Sequence, residues 1–278
     1  MNMAGEVAGR ALAMRASALA GAVGALVLAL GGCVSQPVTS TSAAADIATP
    51  SAESETRRRA RLRLELASGY FEEGKTEVAL DEVRQAIAID PSFGESFDVR
   101  GLILMRLNDM RGAEDSFKRA IALSPRDANV YHNLGWLQCQ EGRYPEAQAS
   151  FDAAMAIPIY SGRAKTLMAQ GVCQARAGRM ADAEKSLAKS YELDPGNPIT
   201  GYNLANLLYR RGDDSRAQFY IRRINNSELA NAETLWLGIK VERRMKDTLA
   251  MRQLGEQLKK RFAGSREAAA YDRGAFDE

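Results

Sequence analysis

Few side chains in this chain could carry covalent chemistry. His132 is the sole histidine, which excludes a cluster of imidazole ligands and leaves one possible imidazole base. There are three cysteines, Cys33, Cys139 and Cys173. A thiol nucleophile needs a base beside it. Cys139 shares a helical face with His132 but lies about two turns away, too far for direct pairing. The sequence has no glycine-rich phosphate loop, no Gly-x-Ser-x-Gly elbow and no HExxH zinc motif. The paired acids Glu72-Glu73 and Asp213-Asp214 fall at helix ends or turns, where solvated charge is their ordinary use. We therefore expect no catalytic residue, no metal and no cofactor. Basic and acidic residues nearly balance, 37 against 35, so bulk charge gives no argument for nucleic acid.

The elements that position these residues are legible in the stretch from Tyr131 to Met155. Apolar and small residues recur there at helical spacing up to Gln140, break at Glu141-Gly142-Arg143 and resume from Pro145. Gly142 can take the left-handed conformation that ends a helix, and Pro145 suits the first turn of the next. The result is one helical hairpin, with small residues Gly135, Ala147 and Ala154 where the helices approach and Leu134, Trp136 and Phe151 around them. The hairpin is written repeatedly. Ala67, Gly101, Gly135, Gly171, Ala205 and Gly238 are spaced 34, 34, 36, 34 and 33 apart. Ala79, Ala113, Ala147, Ala183, Ala217 and Ala250 share those spacings, and Gly74, Asn108, Gly142, Gly178 and Gly212 mark the turns. This period resembles the tetratricopeptide (TPR) repeat. An all-α solenoid of about six hairpins over residues 57–265 follows, closed by a frayed polar tail, 266–278. A right-handed superhelix is what the resemblance implies.

Residues 1–32 read as an export signal. Arg10 and Arg15 precede an apolar run from Ala16 to Leu30, too short and too rich in Gly and Ala for a good spanning helix. Leu30-Gly31-Gly32-Cys33 resembles the bacterial lipobox, so Cys33 is expected to become a lipidated N-terminus. Val34-Ser35 follow without an acidic residue, which by resemblance to bacterial sorting rules favours the periplasmic face of the outer membrane. The rest of 33–56 is Ser, Thr, Ala, Pro and Gln, a tether unable to bury a core. The basic cluster Arg57, Arg58, Arg59, Arg61 and Arg63 is read as a solvated helix face, with anionic lipid contact the alternative.

In an exported protein Cys139 and Cys173, on first helices of neighbouring repeats, are expected to form a disulfide; the alternative is two buried thiols serving as apolar fillers. By resemblance to other TPR proteins, the first helices line a concave groove through their second, fifth, ninth and twelfth positions. Those positions nominate Phe71, Met105, His132, Trp136, Met168, Tyr202, Asn206 and Tyr209 for partner binding, with Leu64, Leu102 and Val172 expected in the core.

The chain further resembles the type IV pilus biogenesis/stability lipoproteins of the PilW/PilF type, from about Gly31 to Phe262. The most specific pieces run from Asn133 to Tyr144, from Gln170 to Gly178 and from Glu233 to Ile239. The irregular Ile157-Pro-Ile-Tyr160 junction and the two cysteines fit the family as well. The resemblance implies a monomeric, non-catalytic pilotin that binds the outer-membrane secretin subunit and aids its localisation and multimerisation. An outer-membrane TPR adaptor for peptidoglycan hydrolases or proteases is the alternative that the repeats and lipobox equally allow.

Overall fold

The computed structural model describes residues 53–277. The expected signal over 1–32, the lipidated Cys33 and residues 34–52 of the tether lie outside the described residues. Among the described residues the chain forms thirteen α-helices and no strand. The first twelve pair as hairpins: α1 (Glu55–Glu72) with α2 (Thr76–Ile89), α3 (Gly94–Arg106) with α4 (Met110–Leu123), and α5 (Ala128–Gln140) with α6 (Tyr144–Ala156). Then come α7 (Arg163–Arg176) with α8 (Met180–Leu193), α9 (Pro198–Arg211) with α10 (Asp214–Asn225), and α11 (Ala232–Arg244) with α12 (Thr248–Arg261).

Each hairpin turns through one left-handed residue. Gly74, Asn108, Gly142, Gly178 and Gly212 have φ of 77°, 62°, 74°, 77° and 87°. The sixth turn uses Lys246, at φ 62°, a residue type that gives no turn signal in sequence. The following helix is then capped where the sequence allows it. Asp109 Oδ1 accepts from Gly112 N at 2.9 Å and Asp247 Oδ1 from Ala250 N at 3.0 Å.

The small residues act where helices cross. A Cβ on Gly135 would sit 2.9 Å from the Phe151 ring and 3.2 Å from the Ala147 carbonyl, so only a hydrogen fits. Ala79, Ala113, Ala147, Ala183 and Ala217 are fully buried on the facing helices. Val83, Phe117, Phe151, Leu187 and Ile221 form a further series at the same spacing and fill each hairpin. Trp136, placed both among these fillers and on the groove, is half-buried and packs against the cluster that contains Ala147 and Phe151.

First helices pack side by side, α1 on α3, α3 on α5, α5 on α7, α7 on α9 and α9 on α11. Each second helix packs on the next first helix, but second helices do not pack on one another. The stack is therefore tighter along its first helices, which form the inner face of a TPR solenoid.

Two differences from the sequence expectation follow from packing. Helix α1 begins at Glu55, capped by Ser54, whose side chain accepts from Arg57 N at 3.1 Å. Residues 266–277, the described part of the expected tail, are not frayed. They contain α13 (Arg266–Arg273), capped by Ser265, with Glu267 buried and Ala268 and Ala270 packed against the sixth hairpin. Its polar composition hid two small apolar contacts and Phe276, whose ring stacks on Trp236 at 5.5 Å.

Candidate partner-binding site

The inner face carries a broken line of large side chains. Phe71, Met105, Trp136, Met168, Tyr202, Asn206 and Tyr209 are all half-buried on first helices. Leu64 is core at 3% exposed, while Leu102 and Val172, expected in the core, are half-buried and only border it.

His132 must be removed from this face. It is 5% exposed, its Nδ1 shares a hydrogen bond with Thr166 Oγ1 at 2.9 Å, and Thr166 Oγ1 shares another with Tyr160 OH at 2.6 Å. Leu64 and Asp98, at the same repeat position in the first two hairpins, are buried too, and the Phe151 ring lies 6.0 Å from the imidazole. Burial, with a smaller push from Lys165, lowers the His132 pKa to about 4. The ring is neutral and structural. Nearby, Asp98 accepts two hydrogen bonds from Asn133 Nδ2, at 3.0 and 3.1 Å, yet burial outweighs them and raises its pKa to about 6.

Cys139 and Cys173 are joined as a disulfide between α5 and α7, with Cα atoms 5.7 Å apart. Closing such a loop contributes about 3–4 kcal/mol in the chain-entropy picture. The bridge also withdraws Cys139 from any reaction with His132. Among the described residues no group of His, Cys, Asp and Glu is placed to hold a metal ion.

Cations that sequence reasoning passed over cover the aromatic residues of this face. Arg106 lies 3.7 Å above the Phe71 ring and donates to the Phe71 carbonyl at 2.7 Å. Arg244 does the same to Tyr209, at 4.3 and 2.9 Å. Arg176 lies 5.3 Å above Trp136. These residues belong to the series Arg106, Gln140, Arg176, Arg210 and Arg244, spaced 34, 36, 34 and 34 apart, so the repeat period would have found them. Arg106, Arg176 and Arg244 each stitch one hairpin to the one before.

The basic cluster of α1 is largely spent within the fold. Arg57 Nε meets Asp90 Oδ2 at 2.5 Å, Arg58 meets Glu55 at 2.6 Å, Arg63 meets Glu82 at 2.8 Å, and Arg61 pairs with Glu53. The bonds from Arg57 and Ser92 hold the Asp90 carboxyl down at about 2. These pairings favour the solvated-face reading over lipid contact. No helix among the described residues is long and apolar enough to cross a membrane.

The repeat geometry defines the class, a tetratricopeptide-repeat solenoid, and three tetratricopeptide-repeat family models match residues 95–127, 116–149 and 160–198. Within that class the chain is homologous to the type IV pilus assembly protein PilF of Pseudomonas aeruginosa. The two are 27% identical over 204 residues, 73% of this chain and 81% of that protein. The solved P. aeruginosa PilF structure superposes with a TM-score of 0.69 at 26% identity, covering 78% of this chain and 99% of the solved chain. PilW, described as a widely conserved type IV pilus biogenesis factor, gives 0.70 at 27% identity over 76% of this chain and 97% of its own.

Proposed function

We propose that this chain is a pilotin of the type IV pilus: a lipid-anchored outer-membrane protein that binds secretin subunits and promotes their localisation and multimerisation. The observation that carries the reading is similarity to PilF and PilW along nearly their whole solved lengths, at 26% and 27% identity. The half-buried aromatic line of the inner face supports protein binding as the means, since such side chains dominate interface energetics. The mechanism is binding without bond-making. The lipid on Cys33 supplies the address, the tether supplies reach, and the inner face shields an apolar secretin segment until subunits assemble.

The test is a secretin gel. Unheated outer-membrane fractions from cells lacking this protein should lose the secretin multimer and accumulate monomer. The wild-type chain should restore the multimer and Cys33→Ala should not. The double substitution Trp136→Ala with Tyr209→Ala should keep helix content while weakening the multimer. An unchanged multimer in the deletion strain would overturn the reading.

A further inference from the structure

The arginine series is interrupted by Gln140, and at Arg210 the arginine is present but its platform is missing. Where Arg106 has Phe71 beneath it and Arg244 has Tyr209, Arg210 has Ala175, the residue at the corresponding place in the fourth hairpin. Ala175 is too small to serve as a platform. A cavity of about 690 Å³ opens there instead, between the fourth and fifth hairpins, with Val172, Met180 and Leu207 among its apolar walls. Met180 is 47% exposed, an unbranched, adaptable side chain at the mouth. Arg176 and Arg210 stand on the rim and Asn206 lines the wall, and no acidic side chain lines the cavity. Arg210 makes no hydrogen bond or ion pair with any described residue. Its uncompensated charge is felt nearby: after burial, Arg210 is the next cause depressing the Lys240 pKa.

We propose that this cavity binds an acidic–aromatic segment of a partner polypeptide. The partner's ring fills the place that Phe71 and Tyr209 hold elsewhere and lies under Arg210. Flanking carboxylates meet Arg210 and Arg176. The two arginines sit at matching places on adjacent first helices, whose axes lie about 8–10 Å apart. An extended segment puts every second residue on one face, about 6.6 Å apart, so acid, ring and acid at alternate positions all turn to the cavity, the outer two within reach of the long arginine side chains. The chemistry is charge complementarity around an apolar socket, with cation–π contact to the buried ring. The proposal rests on the protein-binding reading above and adds the chemistry of the bound segment. Because its test uses a defined peptide, the secretin assignment stands or falls separately.

The experiment is fluorescence anisotropy with the mature chain, disulfide intact, and a labelled peptide of core Asp-Ala-Phe-Ala-Asp, at two salt concentrations. Saturable binding that weakens with salt is expected. Peptides with Asn in place of both Asp, or Ala in place of Phe, should bind at least about tenfold more weakly. Arg210→Glu should lose about tenfold or more, whereas Arg59→Glu, the same charge change on an exposed residue of α1, should change nothing. Ala175→Phe should supply the missing platform from within, raise the melting temperature and abolish peptide binding. Equal binding of the Asp and Asn peptides, an unaffected Arg210→Glu protein, or peptide binding retained by a folded Ala175→Phe protein would overturn the proposal. So would absence of binding by the wild-type chain.

Discussion

His132 and Asp98 set opposite pH dependences within one small region. The folded-state pKa of His132, about 4, lies below its ordinary 6.5, so the unfolded chain takes up the proton first. Its contribution is present above pH 6.5 and is lost as pH falls towards 4, about 2–3 kcal/mol between pH 7 and 4.5. The folded-state pKa of Asp98, about 6, lies above its ordinary 3.8, so its contribution is fully present below 3.8 and is lost as pH rises through 6. Over the same interval of falling pH it returns about 2 kcal/mol. The two nearly cancel in the native chain. Urea unfolding at pH 7 and 4.5 should therefore show little change for the wild type from this pair. His132→Gln should gain stability on acidification by about 2 kcal/mol, and Asp98→Asn should lose a similar amount. Parallel curves for all three proteins would show that neither group titrates as its burial requires.

At the scale of the element, the hairpin turn is the unit that the sequence writes most clearly, and its exception is informative. Five turns carry Gly or Asn at the left-handed position, and these were legible because few other residues tolerate it. The sixth carries Lys246, whose Cβ crowds the backbone there, and its exposed side chain makes no hydrogen bond or ion pair. Lys246→Gly should stabilise the chain by about 0.5–1 kcal/mol, the relief of backbone strain less the extra entropy of the unfolded glycine. A rise in Tm of about 2 °C is the expected reading for a chain of this size, and an unchanged or lower Tm would show that Lys246 is anchored by its side chain. The same contrast explains what sequence reasoning could see of the site. Position within a repeat nominated Phe71, Trp136, Tyr202 and Tyr209 for the inner face, because period alone decides which side of a helix a residue takes. It misplaced His132, because the position that Met168 and Tyr202 hold half-buried in later hairpins is closed over in the first three, where Leu64, Asp98 and His132 are buried. It overlooked Arg176 and Arg210, because an arginine near a helix end reads as solvated charge until the ring beneath it, or the missing ring, is seen.

For the whole molecule the controlling fact is that each hairpin touches only its neighbours, so each end of the stack needs a cover. At the C-terminal end the cover is α13, packed on α11 and α12 where a seventh hairpin would begin. It shields Trp236, Ile239 and Leu258, with Arg243 lying 4.5 Å above the Phe276 ring that stacks on Trp236. The cover is partial: Ala250, the last of the second-helix alanines, is half-exposed, whereas those of the first five hairpins are fully buried. Because coupling passes from neighbour to neighbour, loss of the cover should be felt locally. A chain ending at Gly264 would expose the apolar face of the sixth hairpin and weaken it by about 2–4 kcal/mol. Hydrogen exchange should then show α11 and α12 opening more readily, α9 and α10 slightly so, and α1 to α8 unchanged, the disulfide between α5 and α7 helping to hold the middle of the stack. Uniform loss of protection from α1 to α12 would mean that the solenoid unfolds as one cooperative body, and the neighbour-only picture would be wrong. Unaltered α11 and α12 would mean that α13 lies on the sixth hairpin without stabilising it.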